Sequence, residues 1–252
     1  MRDAEVQWRR REWQQPRFTK ARNIGYVNGM YRISSPPEGV RPDIVDELWD
    51  HIEQPLPEAI ARIAAREETG AHYGVLLNYA AAASVRHPDF AEWVNRRRNE
   101  LGMSSVAGDE VHVDRVALLR RGLEQVEGFR WRFVHGPATG PRLVLNDRGW
   151  TYVGHQDRPG RGLWIPLNGQ VGMLAWLQRG AAGGFEHLNL WPGWTTWLNT
   201  ATWQDAPSFV VGHPDDGDLL GRLTCIDDVA PKLERVGPYR DRRMQGLFSD
   251  FL

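Results

Sequence analysis

The sequence predicts an α+β fold, with a helical N-terminal half packed on a mainly antiparallel C-terminal sheet. Two observations predict it. Apolar residues recur at helical spacing in five successive segments before Gly128. Beyond Gly128 the period falls to two, and Gly, Asp and Asn turns separate short apolar runs. Helices first and strands second, without regular βαβ alternation, is the α+β pattern.

Residues 1–41 read as an irregular, aromatic-containing arm, with Trp8, Trp13, Phe18, Tyr26 and Tyr31 spaced through polar sequence. Ser34-Ser35-Pro36-Pro37 closes the arm. Residues 42–252 read as one α+β domain: helical over 42–127, strand-rich over 128–215, with a tail over 216–252. Pro42 and Asp43 open the first helix, whose apolar face is Ile44, Val45, Leu48, Trp49 and Ile52. Beyond the Pro55 and Pro57 interruption, Leu56, Ile60, Ile63 and Ala64 line a second helix, and Gly70 closes it. A third runs from about His72 to Val85, and its run Ala80 to Ala83 is thin enough for a neighbouring helix to approach closely. Pro88 stops that helix and opens a fourth through Phe90, Trp93 and Val94, ending at Gly102. Asp109 caps a fifth, read in the register Val113, Val116, Leu119, Leu123 and Val126.

Phe129 to Phe133 alternates as a half-buried strand. Further strands are expected at Arg142–Asn146, Trp150–Val153, Leu163–Leu167, Val171–Leu177, Phe185–Trp191 and Ser208–Gly212, with a short helix at Trp194–Trp203. The end of the tail, Tyr239 to Leu252, reads as an amphipathic helix.

Composition narrows the functional classes. Hydrophobic residues make up 41% of the 252, enough for a packed core, and twelve are Trp. With 31 basic and 32 acidic residues the net charge is −1, so no global field draws nucleic acid or anionic lipid. No apolar run approaches the roughly 18 residues of a membrane span. The segment Met1 to Pro16 lacks the apolar core of a secretion signal, and Cys225 is the single cysteine. These features lead to the expectation of a cytoplasmic protein, with a protein partner or a second copy of the chain as the remaining partner classes. The sequence leaves the cofactor unknown.

Several segments resemble a known family. They are Trp49-Asp50-His51-Ile52-Glu53, Leu56-Pro57-Glu58-Ala59-Ile60, Leu76-Leu77-Asn78-Tyr79-Ala80 and Val85-Arg86-His87-Pro88. The pattern continues through Arg130-Trp131-Arg132-Phe133, Arg142-Leu143-Val144-Leu145-Asn146-Asp147, Trp164-Ile165-Pro166-Leu167 and Trp197-Leu198-Asn199. In order and spacing, over roughly residues 20 to 215, this resembles the bacterial family catalogued as domain of unknown function 4238. Members usually carry a His near the N-terminus, whereas the first His here is His51. The resemblance implies a fold and names no activity.

Arg86, at a helix break, is the residue type that clamps phosphate or carboxylate, and His87 beside it is placed to move protons or contact substrate; the alternative is that Arg86 pairs with a helix acid while Pro88-Asp89 start the next helix. Asp147 ends an apolar strand and reads as a base, although Asn146-Asp147-Arg148-Gly149 is also turn chemistry. Asn199 reads as a substrate-positioning amide or a backbone bridge. His135 and His213 are the remaining acid–base candidates. Glycine-rich phosphate loops, a Gly-x-Ser-x-Gly elbow and metal-binding spacings are all missing from the sequence. The expectation is therefore a hydrolase acting on an anionic or phosphodiester substrate, using Asp147, Arg86 and His135 for catalysis and Asn199 and His87 for binding. The alternative is a non-catalytic binding or assembly protein that uses exposed aromatic surface.

Overall fold

The computed structural model describes residues 4–24, 30–127, 129–153, 162–176 and 185–223, and its first elements are strands. β1 (Glu5–Arg10) and β2 (Arg17–Lys20) form an antiparallel hairpin with Trp8 opposite Arg17. This corrects the reading of residues 1–41 as an irregular arm. The hairpin escapes an apolar pattern because its buried residue is polar. Gln7 is 2% exposed, and its amide donates to the Gly217 carbonyl at 2.6 Å.

The helices follow in the expected places: α1 (Ile44–Glu53), α2 (Leu56–Ala65), α3 (Gly70–Arg86), α4 (Phe90–Glu100) and α5 (Asp109–Val126). α2 ends on Arg66, which adopts a left-handed conformation, and Gly70 starts α3 instead of closing α2. α3 packs against α1, α2 and α5, and its buried run Ala80 to Ala83 keeps it slim. α5 turns a different face inward from the one expected. Val111, Arg115, Leu118, Leu119, Gly122 and Val126 are buried, while Val113 and Val116 are exposed. Asp109 does not cap this helix with its side chain; its carboxylate accepts the backbone N–H groups of Ser34 and Ser35, both at 2.7 Å.

The later strands are β3 (Arg130–His135), β4 (Leu145–Asn146), β5 (Thr151–Val153), β6 (Gly162–Pro166), β7 (Val171–Trp176), β8 (Phe185–Asn189) and β9 (Phe209–Gly212), with α6 (Pro192–Gln204) before β9. They build two sheets, in the orders β2-β1-β9-β4 and β5-β6-β7-β3-β8. Among the described residues every pairing is antiparallel except β3 with β8. The chain is α+β, but the expected layout of a helical first half on one C-terminal sheet is corrected. Strands begin the chain, two sheets form, and α6 lies among the strands. The cause is long-range pairing: Arg10 lies opposite Phe209, a contact no local pattern announces.

Two units result, one drawn from Met1–Tyr26 and Gly128–Leu247, the other from Val27–Glu127. The second, helical unit holds α1 to α5. In the strand-bearing unit, α6 serves two cores. Leu198 and Ala201 join Val134, Leu143, Val153, Trp164, Leu174 and Leu190, whereas Trp203 joins Val144, Ala206, Val210, Leu220 and Leu223. Among the described residues no helix is long and apolar enough to cross a membrane. The expected tail helix and Cys225 lie outside the described residues.

Gly172 pairs with Val134 across the β3–β7 ladder, and a Cβ on it would overlap the buried ring of Trp164. Gly172→Ala is expected to destabilise the fold by about 1–3 kcal/mol through overpacking, read by urea denaturation. Combined with Trp164→Leu, it should cost less than the sum of the two single losses, because the smaller side chain removes the overlap.

Candidate functional site

The fold uses several of the candidate side chains as internal ties. Asn199, on α6 and 1% exposed, accepts the Val144 N–H at 3.0 Å and donates to the Arg142 carbonyl at 2.7 Å. Both ends of its amide are thereby committed to the strand leading into β4. Asn146 behaves alike. Its NH2 group reaches the Trp150 and Thr202 carbonyls and the Thr151 hydroxyl, and its oxygen accepts the Gly149 N–H at 2.9 Å. Gly149 has φ +83°, the left-handed geometry this turn requires.

Asp147 accepts the Ser208 N–H at 2.9 Å through one carboxylate oxygen, clamping the start of β9. Its other oxygen is buried without a hydrogen-bond partner. Burial pushes its carboxyl above the usual range, and the backbone N–H contacts oppose that shift. His135 Nε2 lies 2.7 Å from His187 Nδ1 on the neighbouring strand, with the rings stacked. His213 Nδ1 accepts the Asp215 N–H and meets the Arg142 guanidinium, so it caps a short 3-10 turn, Pro214–Asp216. Exposed aromatics in this unit include Phe18, at 56%, and Trp191, at 64% beside Trp194.

Arg86 and His87 belong to the helical unit. His87 is buried, with Nδ1 2.5 Å from the Asp89 carboxylate. Arg86 ends α3 and forms an ion pair with Glu53 at the end of α1. Both partners are about one-third exposed.

Arg86 also marks the edge of a cluster that the sequence reading missed. Its guanidinium carbon lies 5.9 Å from the centre of the Tyr31 ring, and that of Arg115 lies 4.8 Å from the same ring. Arg115 also lies 4.7 Å from the Phe90 ring. Tyr31 packs edge-on against Trp49 at 5.8 Å. The segment carrying Tyr31 is tied at two places. The Tyr31 hydroxyl donates to the Arg86 carbonyl at 2.5 Å, and Asp109 holds Ser34 and Ser35.

The cluster holds several buried polar atoms without a hydrogen-bond partner. Arg115 is 3% exposed, and its Nε and Nη1 have no hydrogen-bond partner. Nε1 of Trp49 is likewise buried and unpartnered, as is Nδ1 of His112. Among the described residues no carboxylate forms an ion pair with Arg115; Glu53 is engaged with Arg86. Burial pulls the Arg115 guanidinium below its ordinary range and nearby Arg86 pulls the same way, while the Tyr31 phenol opposes both. Tyr31 does not supply the missing negative charge. Burial raises its pKa against the pull of Arg86 and Arg115, and its proton is donated to the Arg86 carbonyl.

No family model, no curated protein and no solved structure matches the chain. The geometry alone therefore carries the functional reading. Among the described residues no three His, Cys, Asp or Glu side chains gather as metal ligands. A signal for Arg115 was present in the sequence. Counting α5 from Val111 puts Arg115 in the apolar register with Leu118, Leu119 and Gly122, where an arginine is out of place.

Two outcomes follow from these contacts. Asp147→Asn retains an acceptor for Ser208 and removes a charge that burial disfavours, so stability at pH 7 should be no lower than in the parent. Asp147→Ala should lose about 1 kcal/mol, the value of a typical hydrogen bond, in the same denaturation experiment. The second outcome concerns His112, whose pKa is lowered by burial and by Arg115, against the charges of Asp109 and Asp46. The unfolded chain takes up that proton near the ordinary value of about 6.5, before the folded chain does. The stability contributed by neutral His112 is therefore complete above that pH and is lost as pH falls toward the lower folded value. The melting temperature should drop between pH 7.5 and 5.5, and His112→Gln should flatten the drop.

Proposed function

We propose that the protein binds an anionic ligand in its helical unit, at the cluster of Arg115, Arg86, Tyr31 and Trp49. The observation that carries this reading is the buried Arg115 guanidinium, without a carboxylate and with two nitrogens unpartnered. Transfer of an ion from water into protein costs several kcal/mol. The Tyr31 and Phe90 rings offset part of that cost, at about 2 kcal/mol for a desolvated cation–π contact. The Tyr31 phenol is a hydrogen-bond partner for the guanidinium, but Nε and Nη1 remain without one. Each buried donor left without a partner costs about 1–3 kcal/mol. Water can accept such bonds but brings no charge, whereas an anion answers both deficits together.

Anion binding retains the substrate class expected from the sequence and moves its centre from Asp147 to Arg115. Arg86 keeps the clamping role first read for it. The internal ties made by Asn199, Asn146 and Asp147 support a structural reading of those three residues.

The test compares Arg115→Met with the parent chain. Replacing a buried, unpaired cation by an apolar residue of similar length is expected to raise stability in anion-free buffer, by about 1–4 kcal/mol. Sodium sulfate should raise the melting temperature of the parent above its value in sodium chloride of equal ionic strength. A ligand at one hundred times its dissociation constant contributes about 2.7 kcal/mol. Sulfate stabilises any folded chain somewhat through exclusion from its surface, so the variant should gain clearly less from sulfate over chloride than the parent does. An Arg115→Met protein that is less stable and equally responsive to sulfate would overturn the reading.

A further inference from the structure

We infer that the ligand of this cluster is a terminal phosphate, a phosphomonoester carrying two negative charges, and that Glu53 holds its place on Arg86 until it binds. The inference rests on the anion-binding reading above and names its ligand.

The cluster has a buried end and a partly exposed end. Arg115, Tyr31, Trp49 and Phe90 are all buried, at 8% exposure or less. Arg86 and Glu53 retain about one-third of their side-chain surface. On this inference an anion enters past the partly exposed Arg86–Glu53 pair, where it competes with the Glu53 carboxylate. Like charges repel, so its entry favours release of Glu53 from Arg86. Once Glu53 leaves, two guanidinium groups beside one phenol ring need negative charge.

The count of charges then separates the anion classes. A carboxylate or a phosphodiester brings one negative charge and leaves one guanidinium uncompensated. A phosphomonoester brings about −1.5 to −2 at neutral pH and has three acceptor oxygens. It can replace Glu53 on Arg86 and also answer Arg115. Arginine's planar donor fork suits phosphate oxygens, and the Trp49 N–H adds a donor at the same ring. Asp46, whose charge bears on Tyr31 and His112, opposes an anion at this ring, and the two guanidinium groups must outweigh it.

Three probes with one aromatic body isolate the anion: phenyl phosphate, methyl phenyl phosphate and benzoate. Isothermal titration of the full chain at pH 7.5 should find phenyl phosphate bound at least about tenfold tighter than either monoanion, a difference of one decade in the dissociation constant. The preference should shrink at pH 5, where the monoester loses its second charge, since its second pKa is about 6. Glu53→Gln removes the internal competitor at a partly exposed position and should tighten phenyl phosphate several-fold at pH 7.5. Arg115→Met should abolish the preference, and Arg86→Met gives a second reading if that variant does not fold. Equal affinity for all three probes, or a Glu53→Gln variant with weaker phenyl phosphate binding, would overturn the phosphomonoester inference and leave anion binding standing. Absence of binding by every probe would overturn both.

Discussion

A guanidinium enclosed by protein constrains everything packed around it. Arg115 occupies a core position of α5, so the helix cannot turn it to solvent without also exposing Val111, Leu118 and Leu119. The apolar contacts of α5 thus hold the charge inside. Its neighbours are arranged to tolerate that charge: Phe90 from the start of α4 and Tyr31 from the segment before α1 each bring a ring against it. Tyr31 is held in turn by its bond to the last carbonyl of α3, and Asp109 ties Ser34 and Ser35 to the first turn of α5. The chain before α1 is therefore stapled to both helices that frame the cation. What remains unanswered locally is charge, and the functional proposal addresses that deficit.

The strand-bearing unit gives the contrast. Its Arg9 and Arg11, beside an aromatic ring, are half-buried and exposed, and they donate to backbone. Arg9 donates to the carbonyls of Leu220 and Leu223, and Arg11 to the Trp203 carbonyl at the end of α6. Their guanidinium carbons also lie over the Trp203 ring, at 4.5 and 5.1 Å. An arginine against an aromatic ring is thus no mark of a binding site by itself. Arg9 and Arg11 find acceptors at chain ends and turns, where carbonyls lack helical partners. Arg115 sits mid-helix, where the backbone carbonyls around it are already used. Burial and access to free carbonyls separate Arg9 and Arg11, which lie in and just after β1, from Arg115 within α5.

Much of the fold was legible because local periodicity and turn chemistry are local properties. Each of the five helices before Gly128 formed where apolar spacing indicated it, and most later strands lie within a few residues of the alternating runs. The N-terminal hairpin was not legible. Its inward residue is Gln7, and its main partner, β9, is about two hundred residues away in the chain. The site was legible in part. Arg86 stood out because it precedes a proline break, and its partner Glu53 matched the expectation that a helix acid would pair with it. Arg115 did not stand out, because α5 was read in the register Val113, Val116, Leu119, Leu123 and Val126, of which Val113 and Val116 are exposed and only Leu119 and Val126 are buried.

By itself the sequence determined the α+β class, the positions of the helices and the turn at Asn146 to Gly149, since neighbouring residues decide these. Tertiary structure alone decided which polar side chains were satisfied. Asn199 and Asp147 resemble catalytic residues in one dimension and become ties once the strands close on them. Arg115 resembles a surface residue and becomes a buried cation once α5 turns. Whether a charge is answered depends on the groups within a few ångströms of it, and those groups come from segments that meet only when the chain folds.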